Sequence, residues 1–531
     1  MKRRIPYRIP QKGRGWAGED SIDGWTDEIF GAGFLTECRN YQLQGRGRLL
    51  KRQGTQPYVA GAVDGSSIVQ GMGVYDFLST RHLLVQAGSK VKKYDGTSAW
   101  DDITGSVAPT AGVNVLTRMS QYHDGTNGNV MGANNSSPPW YWPGSGNALA
   151  LPVNPEGTSR ASDVASFKEH VFAIYTHDSP ITTRYSNTGV ITQWPDLNKF
   201  VCSSESEGVA LSLHNNDCLI AGHAKSVHAI RWIDGSQGGM SEFFSQNMID
   251  GSRGFASRTG VATYKGITYF VANDGVYRIR RTDRPAEYIS RSQEGFWGLL
   301  NAGRKQYITA VASGEPWNVI YFLVSTGSNT QHNAIMVYNP MIASIYGEDA
   351  GWTVFESAAG YLKYNHGVNW TDSDGIDRTL LGGYDGVVDE AFGTGNSSSG
   401  YLDNGPSGAA VESILWTGAM DFGYDGMKGM RYAVLDLVTP TEKTFTLRIT
   451  SINESISQSR DVNAGSGEAL LDDDFMVDAS YLSSSGISSA GFKVEGDSRR
   501  FRTYLYENST TAPHQINALT YYYKRKRMGA D

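Results

Sequence analysis

The residue types best suited to chemistry lie close together between positions 214 and 228. His214, Cys218, His223 and His228 run in the order His-x3-Cys-x4-His-x4-His. Zinc takes such donors, but helix-borne zinc motifs space their ligands differently, and this stretch reads as strand, turn, strand. Strand alternation sends Cys218 and its neighbour Leu219 to opposite faces. The group is therefore read as structural, with no metal site assigned.

Other reactive constellations are weaker still. Asp and Glu number 54, yet no spacing singles out a pair for glycoside cleavage. Tyr94-Asp95-Gly96-Thr97-Ser98-Ala99-Trp100 is a single imperfect likeness of the Asp-box that sialidase propellers repeat. It reads as a hairpin turn with an aromatic anchor. No Gly-x-Ser-x-Gly elbow and no Gly-x4-Gly-Lys-Ser/Thr phosphate loop occurs. Gly71-Met72-Gly73 precedes a strand, so it is no dinucleotide fingerprint. No catalytic residue and no cofactor is assigned, and the chain is read as a non-enzyme. Trp140, Tyr141 and Trp142, after Pro138-Pro139, supply rings for a carbohydrate stacking platform. They equally suit a strand buried between neighbouring sheets.

The elements that would position these residues follow from composition and repetition. Gly is 62 of 531 residues and charged residues are 19%. With 29 Tyr and 12 Trp, this mixture suits short strands joined by Gly-rich turns and disfavours a helical bundle. Apolar content of 40% supports a sizeable core. Seven short apolar segments recur, aligned on Leu84, Val130, Phe172, Leu219, Tyr269, Tyr321 and Leu380. Their steps are 46, 42, 47, 50, 52 and 59 residues. A second strand follows most of them, as in Val91 to Tyr94, Ala229 to Trp232 and Ile335 to Tyr338. Four strands per unit at about 40–50 residues is the β-propeller period, which outweighs a series of β-sandwich modules. Six or seven blades are expected.

The texture changes after Phe392. Gly393 to Ala410 is rich in Gly, Ser, Asn and Pro and marks a boundary or surface loop. Beyond it, Tyr432 to Val438, Thr444 to Ile449, Arg500 to Tyr506 and Ile516 to Tyr523 alternate side-chain class as half-buried strands do. The expected fold is all-β. Residues 1–60 form an N-terminal basic arm and lead-in strands, 61–392 a six- or seven-bladed propeller, and 393–531 an antiparallel β-sandwich.

Charge is uneven. The net value is −7, but Lys2, Arg3, Arg4, Arg8, Lys12 and Arg14 fill the first sixteen residues, and Lys524 to Arg527 is a basic run. Without those ten, 37 basic residues face 54 acidic ones. An acidic body argues against a groove built to grip nucleic acid. The basic run at the end reads as a charged strand end that discourages edge pairing. Pro6, Pro10 and nearby glycines keep the arm from folding alone, so it is expected to dock on an adjoining subunit or adaptor. The longest apolar runs are about six residues, against the ~20 of a membrane helix, and no signal h-region follows Met1. Three cysteines are too few for a disulfide framework, so assembly in a reducing cytosol is the simpler reading.

The stretch from Cys38 to Gly54 contains Asn40, Gly45, Arg46, Gly47, Arg48, Lys51, Arg52, Gln53 and Gly54. It resembles the segment with Asn, then Gly, then Lys/Arg-Arg-x-Gly that opens tailed-bacteriophage tail nozzle (tubular tail B) and packaged-DNA stabilisation proteins. Gln53 stands where that family often has Pro. The propeller that follows, and the ending from Gly429-Met430-Arg431-Tyr432 through Ser498-Arg499-Arg500-Phe501 to Ile516-Asn517-Ala518-Leu519, match its order and texture. The resemblance implies a structural virion protein of the tail nozzle or hub, assembled in the bacterial cytoplasm. It implies a homohexameric ring made by the sandwich domain, set below the portal or adaptor ring, with tail fibre or tailspike proteins as further partners. Double-stranded DNA would be a partner only in passing, without sequence specificity. Lys2, Arg3, Arg4, Arg8, Lys12, Arg14, Asn40, Arg48, Lys51, Arg52 and Gly54 are the expected assembly contacts. Acidic stretches at Asp372 to Asp377 and Asp472-Asp473-Asp474 are candidates for a DNA-repelling lumen, or for solvated outer loops.

Overall fold

The computed structural model describes residues 5–10, 14–16, 34–44, 48–96, 99–123, 126–153, 159–175, 179–202, 206–233, 244–357, 359–372, 374–392, 401–403, 408–417, 427–439, 443–451, 457–464, 487–498, 500–509 and 514–525. Alternating apolar runs and tight turns give seven antiparallel quartets of strands, one per repeat. Blade 1 comprises Val69–Phe77, Thr80–Ala87, Lys90–Tyr94 and Asp101–Asp102. Blade 2 comprises Arg118–His123, Gly128–Ala133, Trp140–Trp142 and Leu149–Ala150. Blade 3 is Asp163–Phe167, His170–Ile174, Thr182–Tyr185 and Lys199–Val201. Blade 4 is Gly208–His214, Cys218–His223, Val227–Trp232 and Phe244–Asp250. Blade 5 is Val261–Tyr264, Ile267–Ala272, Gly275–Ile279 and Glu287–Tyr288. Blade 6 uses Thr309–Ala312, Ile320–Val324, Ala334–Tyr338 and Trp352–Glu356.

Blade 7 closes the ring with a borrowed strand. Tyr364–Thr371, Asp377–Gly383 and Val388–Ala391 are local, but the outer place is taken by Thr55–Pro57 from near the start of the chain. The first strand of each blade packs against the first strand of the next, and blade 7 against blade 1. The seven anchor residues of the repeat all fall in second strands and are buried, because each second strand is covered on both sides. Phe172, Ile174 and Tyr185 of blade 3, for example, share a core with Leu211, Leu219, Ile230 and Phe244 of blade 4.

The two longest steps of the repeat hold helical insertions. Arg291–Gln293, Glu294–Leu299 and Ala302–Tyr307 lie between blades 5 and 6. Pro340–Tyr346 interrupts blade 6. That helix starts where Asn339 Oδ1 accepts the N–H groups of Met341 (3.0 Å) and Ile342 (3.1 Å) and proline takes the first helical position. Asn339 Nδ2 also donates to the Leu43 carbonyl at 3.0 Å, tying the insertion to the lead-in segment.

The chain's two ends form a sandwich fused to blade 6. The outer strand of blade 6 meets Phe34–Arg39, and the same sheet continues through Ser413–Thr417, Phe501–Glu507, Lys443–Ser451 and Ser457–Ala464. The facing sheet runs Tyr41–Gln44, Arg48–Lys51, Gln515–Arg525, Lys428–Val438 and Ile487–Ser498, with Ile5–Pro10 also along Gln515–Arg525. One core runs through both. Tyr269 of blade 5, Phe322 and Trp352 of blade 6, Leu435, Phe445, Leu505 and Tyr521 belong to a single buried cluster.

Gln515–Arg525 pairs with Lys428–Val438 along its length and with Ile5–Pro10 from Ala518 to Tyr523, so Lys524 and Arg525 are paired on the first side. The arm strand Ile5–Pro10 pairs with Ala518 to Tyr523 of its own chain. Among the described residues, no helix is long and apolar enough to cross a membrane.

Candidate functional site: a channel plug and a buried seam

The inner strands surround a channel, and charged residues just ahead of them meet at one mouth. Arg258 precedes the first strand of blade 5. Its Nη1 donates to the carbonyls of Leu116 (3.1 Å) and Asn134 (2.5 Å), and its Nε to Ser162 Oγ (3.1 Å). Those partners belong to blades 2 and 3, so the side chain lies across the ring. Arg118 returns the contact, donating to the Arg258 carbonyl at 3.1 Å. Arg118 Nε also stands 3.4 Å from Asp163 Oδ2.

Asp163 has both oxygens occupied, by the N–H groups of Val164 (2.8 Å) and Leu211 (2.7 Å). Burial pushes its carboxyl up, against the pull of Arg118, and burial brings Arg258 down to about 10. His366 nearby is pushed down to about 3, by burial first and then by Arg118, so it is neutral at ordinary pH. Arg304 extends the group by donating to Asn114 Oδ1. The arrangement ties opposite blades together through fixed hydrogen bonds. It sets these charged groups across the propeller axis at this mouth.

The second polar centre is the seam between propeller and sandwich, built by the segment that carries the family resemblance. Asn40 adopts the left-handed backbone region, with φ of 61°. Its Nδ2 donates to the carbonyls of Glu356 (2.8 Å) and Glu412 (2.5 Å), and its Oδ1 accepts from Glu356 N (2.9 Å) and Arg52 Nε (2.8 Å). Arg52 holds Asp403 with two bonds of 2.7 Å and reaches the Glu356 carbonyl at 3.2 Å. The guanidinium also lies 5.5 Å from the ring centres of Phe355 and Phe392. Lys51 Nζ bonds Glu507 at 2.6 Å and the Ser509 carbonyl at 2.8 Å. Lys443 adds a second contact to Glu507 at 3.3 Å. Burial alone would raise the Glu507 carboxyl, but Lys51, His514 and Lys443 hold it down at about 2. Burial lowers Lys51 to about 8 despite Glu507. Gly54 packs so tightly that a Cβ there would lie 1.9 Å from the Leu402 carbonyl oxygen.

These contacts correct the assembly assignment. Asn40, Lys51 and Arg52 are buried and bonded within their own chain, and Gly54 is covered by its own backbone, so none offers a surface to a neighbour. Arg48 pairs with Gln44, Arg8 with Thr520 and Arg14 with Phe34 at backbone level. Lys2, Arg3, Arg4 and Lys12 lie outside the described residues, as does Asp472-Asp473-Asp474. Asp372 is engaged by Arg378 at 2.7 Å and by the N–H groups of Asp374 and Ile376, which makes it a turn-forming residue. Trp140 and Trp142 are buried, so they form a blade strand and not a stacking platform.

The His/Cys group read as structural from its spacing also divides. His214 faces Thr268, Cys218 joins the core between blades 4 and 5, and His223 and His228 come together with Cys202 instead. Cys202 lies far enough along the chain to escape a search by spacing.

No protein-family model matches the chain, and no curated protein does. Among solved structures it is similar to YCF48 bound to D1 peptide, at 11% identity over 63% of this chain and 95% of that one, with a TM-score of 0.39. It is similar to the C-terminal WD40 domain of Sif2, at 9% identity over 62% and 98%, with a TM-score of 0.34. It is also similar to the exo-beta-1,3-galactanase of Phanerochaete chrysosporium, at 12% identity over 88% and 100%, with a TM-score of 0.25. Likenesses at this level carry no assignment of activity.

Proposed function

We propose that this β-propeller protein is a structural component of a bacteriophage tail, of nozzle or hub type, that retains packaged DNA and conducts it to the host. One observation carries the reading. The residues that resemble the family's opening segment are the ones that join propeller to sandwich: Asn40, Lys51, Arg52 and Gly54 all sit at the seam. A motif of that kind is a requirement of architecture, and it ties the resemblance to a two-part scaffold rather than to a reaction centre.

The fused sheet supports the same function. A continuous sheet and a shared core join propeller to sandwich, as a load transmitted along a tail requires. The plug adds a constraint. With Arg258 across the mouth, DNA would pass between copies arranged in a ring, not along a propeller axis. The glycan-binding alternative loses its residues with the burial of Trp140 and Trp142.

The test is the mass of the purified full-length chain by light scattering. A ring of about six copies, closed by cyclic symmetry, is expected from the family resemblance. A monomer at every concentration tested would overturn the reading.

A further inference from the structure

We infer that Cys202, His223 and His228 form a zinc site that rivets blade 3 to blade 4. Cys202 follows the outer strand of blade 3, held by its N–H bond to the Ile181 carbonyl at 2.8 Å. His223 ends the second strand of blade 4, and His228 lies in the third. A tight turn brings the two imidazoles together, fixed by His223 N donating to the Ser226 carbonyl at 2.8 Å. Their ring centres are 5.3 Å apart. Sγ of Cys202 and one nitrogen from each ring lie within 4.8 Å of one another, and all three residues are buried.

The donor chemistry fits a borderline-soft divalent cation. Zinc with Zn–S near ~2.3 Å and Zn–N near ~2.0 Å brings tetrahedral ligand atoms to roughly 3.3–3.6 Å from one another. Cys202 Sγ and His228 Nε2 are already 3.2 Å apart. His223 supplies the outer support that metal-bound histidines have. Its Nδ1 sits 2.9 Å from the Ser206 carbonyl and so carries the hydrogen, which leaves Nε2 as the lone-pair nitrogen. That Nε2 is buried and has no hydrogen-bond partner. An unsatisfied buried acceptor is costly, and a cation beside it removes the cost. Ser226 Oγ, 3.6 Å from the sulfur and 3.1 Å from His228 Nε2, stands beside the fourth position. On binding, the thiol gives up its proton to solvent and the sulfur joins the metal as thiolate.

The test uses the full chain and cobalt(II) as a spectroscopic stand-in for zinc, with zinc content measured in parallel. Cobalt is expected to give a thiolate-to-metal charge-transfer band, displaced by an equivalent of zinc, at about one metal per chain. The band should survive in the double variant Cys38→Ser/Cys218→Ser, which assigns it to Cys202 without touching that residue. It should be lost in Cys202→Ser and in His223→Gln, each checked for retained β-structure by circular dichroism. No charge-transfer band in the wild-type chain, or a band that disappears in the Cys38/Cys218 double variant, would overturn the proposal. If Cys202→Ser does not fold, the wild-type and double-variant spectra still decide it.

Discussion

Arg52 and Asp403 meet through two parallel hydrogen bonds of 2.7 Å, 351 residues apart in sequence and both completely shielded from solvent. This pair fastens the segment after the propeller to the segment before it. Its geometry is bidentate, with the remaining guanidinium hydrogens given to Asn40, Gln53 and Glu356.

Removing one partner leaves the other charged and buried. Asp403→Ala and Arg52→Ala should each lower stability by about 3–5 kcal/mol. The double replacement Arg52→Met/Asp403→Leu should recover most of that loss, since two apolar groups need no partners. Chemical denaturation followed by tryptophan fluorescence reads both effects. Equal and additive losses in the double variant would show that the pair is not coupled.

Gly54→Ala tests the same seam by shape alone. The new methyl would overlap the Leu402 carbonyl, which is backbone and cannot rotate away. A loss of about 1–3 kcal/mol or more is expected from overpacking. An unchanged denaturation midpoint would mean that Leu402 does not sit over Gly54.

The closing strand of blade 7 sets where the chain can be cut. Deleting residues 1–16 spares Thr55–Pro57, Asn40, Lys51 and Arg52, so the propeller should stay folded and resist limited proteolysis. Deleting residues 1–60 removes all four, and blade 7 should become the first site of cleavage. Equal protease resistance in both truncations would contradict ring closure by Thr55–Pro57.

Asp389 gives a pH signature. Burial, with Asp385 and Asp403 adding to it, raises its carboxyl from 3.8 to about 6, even though Tyr364 donates a hydrogen bond to it at 2.6 Å. A raised folded pKa means that the native state binds more protons between those values. Stability from this group is therefore full below pH ~4 and is lost as pH rises towards ~6, by at most about 3 kcal/mol. Glu507 has the opposite sign: its contribution is present above pH ~4.5 and is lost as pH falls towards ~2. Asp389→Asn should flatten the slope between pH ~4 and ~6 in a series of denaturation curves. A slope that persists unchanged would assign it to another group.

The residues show where sequence reasoning reached and where it stopped. Leu84, Val130, Phe172, Leu219, Tyr269, Tyr321 and Leu380 were legible because each second strand is covered on both faces and must be continuously apolar. The helices Glu294–Leu299 and Pro340–Tyr346 were not, since six or seven residues carry too short a period. Thr55–Pro57 pairs with Val388–Ala391 across more than three hundred residues, and no local pattern announces such a partner. Lys51 and Arg52 read as surface contacts because paired charges are seldom buried, and their partners Glu507 and Asp403 lie at the far end of the chain. Cys218 was grouped with His223 by spacing, whereas the fold brings Cys202 to that histidine across a blade boundary.

Negative-stain imaging of the purified full-length chain tests the scaffold role most directly. Ring-shaped particles of about six copies, as the family resemblance implies, are expected, with an open lumen between copies. Single isolated particles of one propeller and one sandwich, at concentrations where a ring should persist, would contradict it.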